Sequence, residues 1–415
     1  MKFRIIAVLT AITLLFALPY LLSQGLINAA IQMLIAVLFA SAYNLLCGQA
    51  GMLSFGHAAY FGIGAFATIH AMKALGGAGL LPTPLLPLAG AVAGLCFGVI
   101  AGWFATKRTG TYFSMITLAI AELLHALAPH LKGLFGAEAG VSSMRMPAWG
   151  FNFGSTVQIY YLTLVWVLVS LLMLYLLTRT PLGRLSLGLR ENAHRLRFLG
   201  YDVHRLSVLV FAISAMFSGI AGGLQVVSNE AANYVLFDAH ISAAVVLNTY
   251  IGGVKVFFGP ILGASLMSFF GYAVSDLTQS WLLYQGILFV LVMMFMPTGL
   301  AGLSPVLGQL HRRFGLRAVL PLVLLCLVSA CLLSGGAAFV IEIMQRVFSQ
   351  DYRSLASANA SLPWPPVALF GLSWSPVAAS TWLLPMALLG TGSALVYIIR
   401  RWLGVLAYRE ERTKP

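Results

Sequence analysis

Long apolar runs follow one another along almost the whole chain, and only short polar stretches separate them. Runs of about 18 to 25 residues are long enough to cross a bilayer as α-helices, and they lack the alternation over about 10 residues that outer-membrane barrels show. The pattern predicts an all-α, polytopic helix bundle with about 12 spans. These spans are 5–22, 27–46, 58–76, 83–105, 112–131, 157–178, 206–227, 238–254, 257–276, 281–298, 317–340 and 381–401.

Composition supports an integral membrane protein. Of the 415 residues, 60% are hydrophobic and 8% are charged, and the mean hydropathy is +0.92. Soluble domains carry about 25% charged residues, so this chain has too few charges to cover a surface that faces water. The first 22 residues have a basic start and an apolar run like a signal peptide, but no small-residue cleavage motif follows soon after. We therefore expect an uncleaved first helix.

The basic residues predict an orientation. If the N-terminus is cytoplasmic and the spans alternate, both termini are cytoplasmic, and the basic residues divide nineteen inside to five outside. The inside set is Lys2, Arg4, Lys107, Arg108, Arg179, Arg184, Arg190, Arg195, Arg197, Arg205, Lys255, Arg312, Arg313, Arg317, Arg400, Arg401, Arg409, Arg412 and Lys414. The outside set is Lys73, Lys132, Arg145, Arg346 and Arg353. The same rule explains the net charge of +13, so no nucleic-acid partner is expected.

The chain carries no recognisable enzyme motif. It has no nucleophile elbow, HExxH or phosphate-binding glycine loop, so we expect no catalytic residue and no ATP hydrolysis by this chain alone. The four cysteines lie in apolar runs without metal-ligand spacing, which is typical of small core residues. They are Cys47, Cys96, Cys326 and Cys331.

One early stretch, YNLLCGQAGMLSFGHAAYFG from Tyr43, combines glycines with Asn44, Gln49, Ser54 and His57. Two interpretations are open. Glycine often serves close packing in membrane helices. Alternatively, polar residues and backbone freed from a helix need partners from protein or a water-filled cavity, which predicts a broken helix pair lining a solute path. For His57 we favour a hydrogen-bonded packing role over metal binding or proton relay, because no ligand-type residue is suitably spaced nearby.

A weak internal echo follows later. The segment NTYIGGVKVFFGPILGASLMSFF from Asn248 resembles NLLCGQAGMLSFGHAAYFGIGAF from Asn44, when one residue is skipped. Both run from Asn to Gly four residues on, then Phe-Gly, then a helix rich in small residues. Chance similarity remains open. Duplicated halves are nonetheless common in transporters, whose transport path lies at the repeat interface.

Glu122 lies in the middle of a predicted span, where a carboxylate is a candidate functional site. His125 lies within side-chain reach on the same face. Proton coupling, a structural pair, and a neutral Glu hydrogen-bonded to a neighbouring helix are the alternatives. Tyr112 and Thr117 belong to the same helix and are candidates for the same path.

Three segments outside the spans differ in character. Residues 179–205 form the long polar cytoplasmic loop, in which helical spacing is followed by a turn at Gly200. Its six basic residues suit either anionic lipid headgroups or a cytoplasmic protein partner. Residues 132–156 form a Gly-rich outer loop, and residues 341–380 form a second outer segment for which we expect a compact loop or cap.

Four motifs in order carry a family resemblance. They are AYNLLCGQAGMLSFGHAAYFGIGAF, RTGTYFSMITLAIAELLHAL, LGRLSLGLRENAHRLRFLGYDV and IGGVKVFFGPILGASL, and MPTGLAGL closes the series. Together, over residues 27–303, they resemble the LivM-type permease of branched-chain amino acid ABC transporters. This divides the chain into a permease domain, 1–303, and a C-terminal extension, 304–415, with two further spans and an outer loop.

The resemblance implies a bacterial inner-membrane permease subunit that translocates branched-chain or related amino acids. The implied partners are a LivH-type permease, two ATPase subunits that bind ATP and Mg, a periplasmic binding protein and membrane lipid; no cofactor is implied in this chain. It favours a protein partner for the long loop, as the segment that docks on an ATPase. The residues carried over to this loop are Gly183, Arg184, Arg190, Glu191, Asn192, Leu199, Gly200 and Tyr201.

The resemblance also assigns a translocation path. The residues that would border it are Asn44, Gln49, Ser54, His57, Tyr112, Thr117, Glu122 and Asn248. Two departures matter. The outer stretch from Leu134 to Val141 differs from the family's Thr-Gly-Gly-rich motif, which leaves the substrate open. The extension has no family role to carry over; it would brace the partner permease or modify docking of the binding protein.

Several functions remain to be compared. Related permeases carry urea, short amides or aromatic acids. From a different class, a stand-alone channel or ion-coupled carrier would use Glu122 and the Asn-Gly repeats as an ion site, but it would not need the 179–205 loop. A membrane enzyme is disfavoured because the sequence shows no catalytic constellation.

Overall fold

The computed structural model describes residues 2–76, 80–275, 278, 280–296, 298–303, 308, 316–358, 364–369 and 372–412. Arg312, Arg313 and Lys414, which enter the predicted orientation, lie outside the described residues, as does Pro297 of the closing motif.

Helices dominate the described chain, and each predicted span coincides with one. The α-helices are α1 Lys2–Leu21, α2 Gln24–Asn44, α3 Ala58–Ala71, α4 Pro87–Ala105, α5 Thr111–Leu127, α6 Lys132–Phe135, α7 Thr156–Arg179, α8 Pro181–Phe198, α9 Val203–Asn229, α10 Ala239–Gly252, α11 Gly259–Ser275, α12 Trp281–Phe295, α13 Leu316–Phe348, α14 Gln350–Ala358 and α15 Ala379–Arg412. The strands are β1 Val141–Ser142, β2 Ala231–Ala232, β3 Val367–Leu369 and β4 Leu372–Trp374. The predicted all-α, polytopic membrane fold is confirmed.

The helices differ in their capacity to cross a bilayer. Among the described residues, eight helical stretches are long and apolar enough, and Ile12–Leu21 and Gly259–Ser275 are shorter apolar helices. Helices α3 and α10 have 14 residues each. At 1.5 Å per residue each is about 21 Å long, less than the roughly 30 Å hydrocarbon core. Both short helices adjoin non-helical chain, as a broken helix requires.

Helix α9 is the centre of the larger core, and glycine brings three helices into backbone contact there. Gly90 and Gly94, four residues apart, present one face of α4. A Cβ atom on Gly219 of α9 would lie 2.2 Å from the Gly90 carbonyl oxygen, and one on Gly64 of α3 would lie 2.3 Å from the Gly219 Cα. In lipid, such close packing replaces the hydrophobic effect as the force between helices.

Two helices end at interruptions of similar form. A π-helical turn, Leu45–Gln49, ends α2, and residues 50–57, the first break, lead into α3. Helix α10 ends at Gly252, and residues 253–258, the second break, lead into α11. In both, an Asn lies within the last five residues of the first helix and Phe-Gly lies at the end of the break. The sequence echo therefore corresponds to two helix–break–helix units.

The loops gather at two ends of this part of the chain. At one end, β1 pairs antiparallel with β2, with Val141 opposite Ala232. At the other end, the π-helical turn that precedes the first break meets the second break, because a Cβ atom on Gly48 would lie 2.4 Å from the Val254 carbonyl oxygen. This grouping agrees with alternating spans; the end that faces the cytoplasm stays a prediction.

The described chain forms two compact units, residues 1–273 with 285–302, and residues 274–284 with 303–415. In the second unit, the Ser329 hydroxyl of α13 donates to the Gly392 carbonyl of α15 at 3.0 Å. Strands β3 and β4 form a hairpin beside a small core. That core consists of Phe339, Ile343, Tyr352, Val367 and Leu369.

The second unit also includes part of the connection between α11 and α12. Glu342 of α13 accepts a hydrogen bond from the Tyr284 hydroxyl at 3.0 Å and another from Thr278. Residues 274–284 therefore pack with the extension, although they precede the predicted boundary at 303. The assignment of 1–303 and 304–415 as functional domains stays a prediction.

Candidate functional site

The 179–205 segment folds as a helix and a turn. Thr180 caps α8, its hydroxyl accepting from the Gly183 N–H at 3.3 Å, and Pro181 follows at the first helical position. Gly183 is required by the close α7–α8 approach, because its Cβ would lie 2.4 Å from the Leu177 carbonyl oxygen. Asn192 interrupts the helix with extended backbone (φ −162°, ψ 96°), and its side chain accepts from the Arg195 N–H at 3.0 Å.

The turn after α8 leads directly into α9. Gly200 takes a left-handed conformation with φ 86°, which favours glycine. Asp202 then caps α9, accepting from the Arg205 N–H at 3.0 Å. That hydrogen bond, and then the Arg205 charge, lower the pKa of Asp202. The segment is thus a short helix and a capped turn, as its sequence predicts.

Most of the side chains predicted to bind an ATPase are exposed. They lie on α8 and on the turn that follows it. Phe198, which the sequence analysis did not single out, lies beside them and is 91% exposed, next to Leu199 at 67% and Tyr201 at 47%. The sequence signal that could have identified Phe198 is its position as an aromatic residue just before the Leu-Gly turn. We define the coupling surface as Arg184, Glu191, Arg195, Arg197, Phe198, Leu199 and Tyr201.

Arg190 differs from its neighbours because its side chain reaches the first break region. Its Nη1 donates to the Gly48 carbonyl oxygen at 2.5 Å, at the C-terminal end of the π-helical turn. A guanidinium here complements the negative end of the helix dipole. A Cβ atom on Gly51 (φ 72°) would lie 2.7 Å from Arg190 Cγ, so the first break and α8 are in direct contact.

His57 and Ser54 form a buried hydrogen-bond network. His57 Nε2 lies 2.9 Å from the Ser214 hydroxyl, and Nδ1 lies 3.1 Å from the Ser54 hydroxyl. Because the Ser214 hydroxyl donates to the Ala42 carbonyl at 2.7 Å, it accepts from Nε2–H, and Nδ1 accepts from Ser54. Both ring nitrogens thus have partners, as the packing interpretation of His57 expects.

Helix α5 supplies partners for the backbone of the first break. The Ser114 hydroxyl donates to the Leu53 carbonyl at 2.5 Å, and the Phe55 N–H donates to the Thr117 hydroxyl at 3.2 Å. A Cβ atom on Gly56 would lie 1.8 Å from the Thr117 carbonyl oxygen. Non-helical backbone at membrane depth needs such partners, so Ser114, which the sequence analysis did not select, matters as much as Thr117.

Asn44 and Gln49 line a small recess. The other lining residues are Ser41, Leu45, Leu174, Thr178 and Phe257. The side-chain oxygens of Asn44, Gln49 and Asn248 make no hydrogen bond with other described residues. Asn248 lies on α10 and is 8% exposed, but it does not line this recess. Neutral acceptors of this kind suit water or a donor group of a polar solute.

Glu122 and Tyr112 lie elsewhere, on the exposed face of α5. Tyr112 is 73% exposed. Within the described chain, neither a hydrogen bond nor an ion pair joins Glu122 to His125, whose ring lies 5.5 Å from that of Tyr234. The predicted path residues therefore fall into four places: the recess with Asn44 and Gln49, the buried contacts of Ser54, His57 and Thr117, this exposed face, and Asn248 by itself on α10.

At the opposite end, Arg145 fastens the Gly-rich loop, residues 132–156, which the sequence predicts to face outward. Its Nε lies 3.0 Å from Glu230 Oε1, and its Nη1 donates to the carbonyls of Val227 and Ser228 at the end of α9. Trp149 and Phe153 hold left-handed backbone, with φ 53° and 49°. Strained backbone of this kind persists only when its surroundings impose it.

We expect Arg145→Ala to loosen this loop by about 1–3 kcal/mol, because Glu230 and two helix-end carbonyls lose a charged donor. Hydrogen exchange of amides 141–153 measures the loosening. Lys132→Ala, an exposed change in the same loop region, is the control and should leave exchange unchanged. Equal exchange in the two variants would show that Arg145 does not fasten the loop.

Comparison with known proteins places these features in a family. A family model described as branched-chain amino acid transport system, permease component, matches residues 25–297. The LivM permease protein of the high-affinity branched-chain amino acid transport system from Escherichia coli K12 is 28% identical over 313 residues, covering 70% of this chain and 73% of that protein. BraD of Pseudomonas aeruginosa is 25% identical, covering 67% and 95%. LivH of Salmonella typhimurium is 24% identical, covering 64% and 90%. No solved structure matches the chain.

Proposed function

This chain belongs to the family of branched-chain amino acid transport permease components, and from that premise we propose that it translocates branched-chain or related amino acids as a subunit of an ABC importer. The proposal places it in a bacterial inner membrane with both termini in the cytoplasm. A periplasmic binding protein delivers the solute, and two separate ATPase subunits bind ATP and Mg.

The observation that carries the proposal is the coupling surface and its position. Helix α8 presents basic side chains and the exposed apolar group Phe198, Leu199 and Tyr201. A stand-alone carrier has no use for such a surface, whereas a cytoplasmic protein partner can bury the aromatic anchor and pair with the charges. Rigid-body movement of the ATPase subunits then reaches the membrane helices through α8.

Helix α5 suits contact with a second permease subunit. Glu122 is exposed on this helix, and a carboxylate that faces hydrocarbon is costly, by about 2.5 kcal/mol or more at the centre of a span. A protein partner or a water-filled path must therefore cover this face. We assign it to the interface with a LivH-type permease, where Tyr112 and Glu122 border the translocation path.

The outer loop suits the binding protein as a partner. Arg145 fastens the loop, and Met144 and Trp149 on it are 79% and 66% exposed. Among the predicted path residues, Glu122 carries the one charge, so the path suits a zwitterion or a neutral solute equally. Urea, short amides and aromatic acids are therefore alternative substrates within the same function.

Reconstitution tests the proposal. We expect two ATPase subunits to co-purify with this chain and a second permease, and the solute-loaded binding protein to raise ATP hydrolysis in lipid about tenfold. Leucine, urea, acetamide and benzoate are compared as solutes, and the one that stimulates hydrolysis identifies the substrate class. The matched control is the complex with unloaded binding protein.

One result of the reconstitution would contradict the importer function. If the chain purifies without ATPase subunits and conducts solute or ions by itself, the chain is a channel or an ion-coupled carrier. In the importer, replacing both Arg190 and Glu191 by Ala should abolish ATP-dependent uptake, because one side chain reaches the first break region and the other lies on the coupling surface. Uptake that survives this double substitution counts against the importer.

A further inference from the structure

The first break contacts two helices, α8 and α5, to which we assign different functions. Helix α8 carries the coupling surface, and α5 carries the exposed face with Tyr112 and Glu122. These helices are separated by more than fifty residues in sequence. The chain between Gly48 and His57 contacts both of them, so it forms a continuous physical connection from one to the other.

The connection to α8 is made at the start of the segment from Gly48 to His57. Arg190 Nη1 donates to the Gly48 carbonyl oxygen, and the Arg190 side chain lies against Gly51. This contact has two independent parts, a charge-assisted hydrogen bond and direct van der Waals contact. A displacement of α8 toward or away from the membrane therefore displaces Gly48 and Gly51.

The connection to α5 is made at the other end. Ser114 donates to the Leu53 carbonyl, Thr117 accepts from the Phe55 N–H, and Gly56 lies directly against the Thr117 carbonyl. All three contacts involve backbone atoms of the break. On the α5 side, two of the contacts are made by hydroxyl groups, and the contact of Gly56 with the Thr117 carbonyl is made by the backbone. Through this backbone contact a displacement of the break moves α5 itself.

The chain between these ends is held rigid. The Gly51 and Met52 N–H groups donate to the carbonyls of Cys47 and Leu46, both at 3.1 Å. At the far end, Ser54 and His57 are fully buried and hydrogen-bonded to each other, and His57 is also hydrogen-bonded to Ser214. Gly51 and Phe55 are exposed, so the backbone hydrogen bonds and the buried Ser54–His57 pair are what brace this segment. A braced segment transmits a displacement, whereas a loop without such bonds would absorb it.

The geometry points to the first break as the element that transmits movement of α8 to α5, with Arg190 and Thr117 as the positioning residues at its two ends. The inference rests on the proposed function, because ATPase subunits must move α8. It differs from the sequence prediction, which placed Arg190 in the segment that docks on an ATPase, because the Arg190 side chain contacts Gly48 and Gly51 instead. ATPase binding at the coupling surface, for its part, does not require this connection.

The test follows α5 while the ATPases are trapped closed. Tyr112→Cys, in a chain with its four native cysteines replaced, reports the reaction rate with a water-soluble thiol reagent in the assembled complex in lipid. Vanadate with ATP traps the ATPases and should change this rate. We expect Arg190→Ala and Thr117→Val each to reduce the vanadate-induced change by about three- to tenfold. Both variants should still bind the ATPase subunits, which separates transmission from docking.

Two variants control for loss of structure. Arg190→Lys keeps a cationic donor and should restore part of the response. Thr68→Val changes a buried threonine whose hydroxyl bonds to Gly64 within its own helix, and it should leave the response intact. The double variant Arg190→Ala with Thr117→Val should be no worse than either single one, because both interrupt the same connection.

The outcomes are distinguishable. If the ATPases do not bind the unchanged chain, the proposed function fails, and this inference fails with it. If they bind and the vanadate response is the same in Arg190→Ala and Thr117→Val as in the parent, only the inference fails. Effects that add fully in the double variant, or a parent chain without any vanadate response, also overturn it.

Discussion

Gly219→Ala is expected to destroy the folded bundle, although the change adds a single methyl group. The new Cβ atom would lie 2.2 Å from the Gly90 carbonyl oxygen and 3.2 Å from the Gly94 Cα, both backbone atoms of α4. Neither can rotate away, so α4 and α9 must separate. Overpacking of a core costs about 1–3 kcal/mol when side chains can adjust, and we expect at least about 3 kcal/mol here.

A second glycine provides the control. Gly286 in α12 has no atom of the described residues within 4 Å of its Cβ position, so alanine there adds only helix propensity, about 1 kcal/mol in favour of the folded state. The two identical substitutions are therefore predicted to have opposite signs. Thermal unfolding in detergent, with the yield of monodisperse protein, measures both. If the apparent midpoint for Gly219→Ala matches that for Gly286→Ala, the close packing of α4 and α9 does not hold the bundle together.

Phe198→Asp is expected to remove ATPase binding while leaving the fold intact. The ring is 91% exposed, so its loss removes no packing within the chain. At an interface, an aromatic anchor contributes about 2 kcal/mol or more, and an aspartate also introduces a carboxylate that must be desolvated. We therefore expect affinity for the ATPase subunit to fall at least about thirtyfold, with a matching loss of ATP-dependent uptake.

The measurement is binding of the purified ATPase subunit to the chain in lipid nanodiscs. Phe151→Asp is the matched control, because Phe151 is 56% exposed and lies in the outer loop. It should leave ATPase affinity unchanged. Unaltered affinity in Phe198→Asp, or an equal loss in both variants, would mean that the ATPase docks elsewhere or that Phe198 takes no part.

The membrane fold and the positions of its helix interruptions follow from local features of the amino-acid sequence. Exposing a polar backbone group or a charge to hydrocarbon is costly at each position separately, so the limits of a span can be read from the local run of apolar residues. The predicted span 157–178, for example, corresponds to the helix Thr156–Arg179. The first break was equally readable, because several glycines and polar residues together weaken a helix wherever they occur. Thr180, Pro181 and Gly200 likewise mark the start of α8 and the turn after it through local capping and turn chemistry.

Which polar residues act together depends on contacts between helices that are distant in sequence. His57 pairs with Ser214, and Arg190 reaches Gly48, 157 and 142 residues away in sequence. Such pairs depend on the rotation of each helix about its axis and on which helices touch, and neither is fixed by a single run of residues. For the same reason the sequence grouped Glu122 with Thr117 on one helix. Thr117 is fully buried against the first break, whereas Glu122 is exposed on another face of α5.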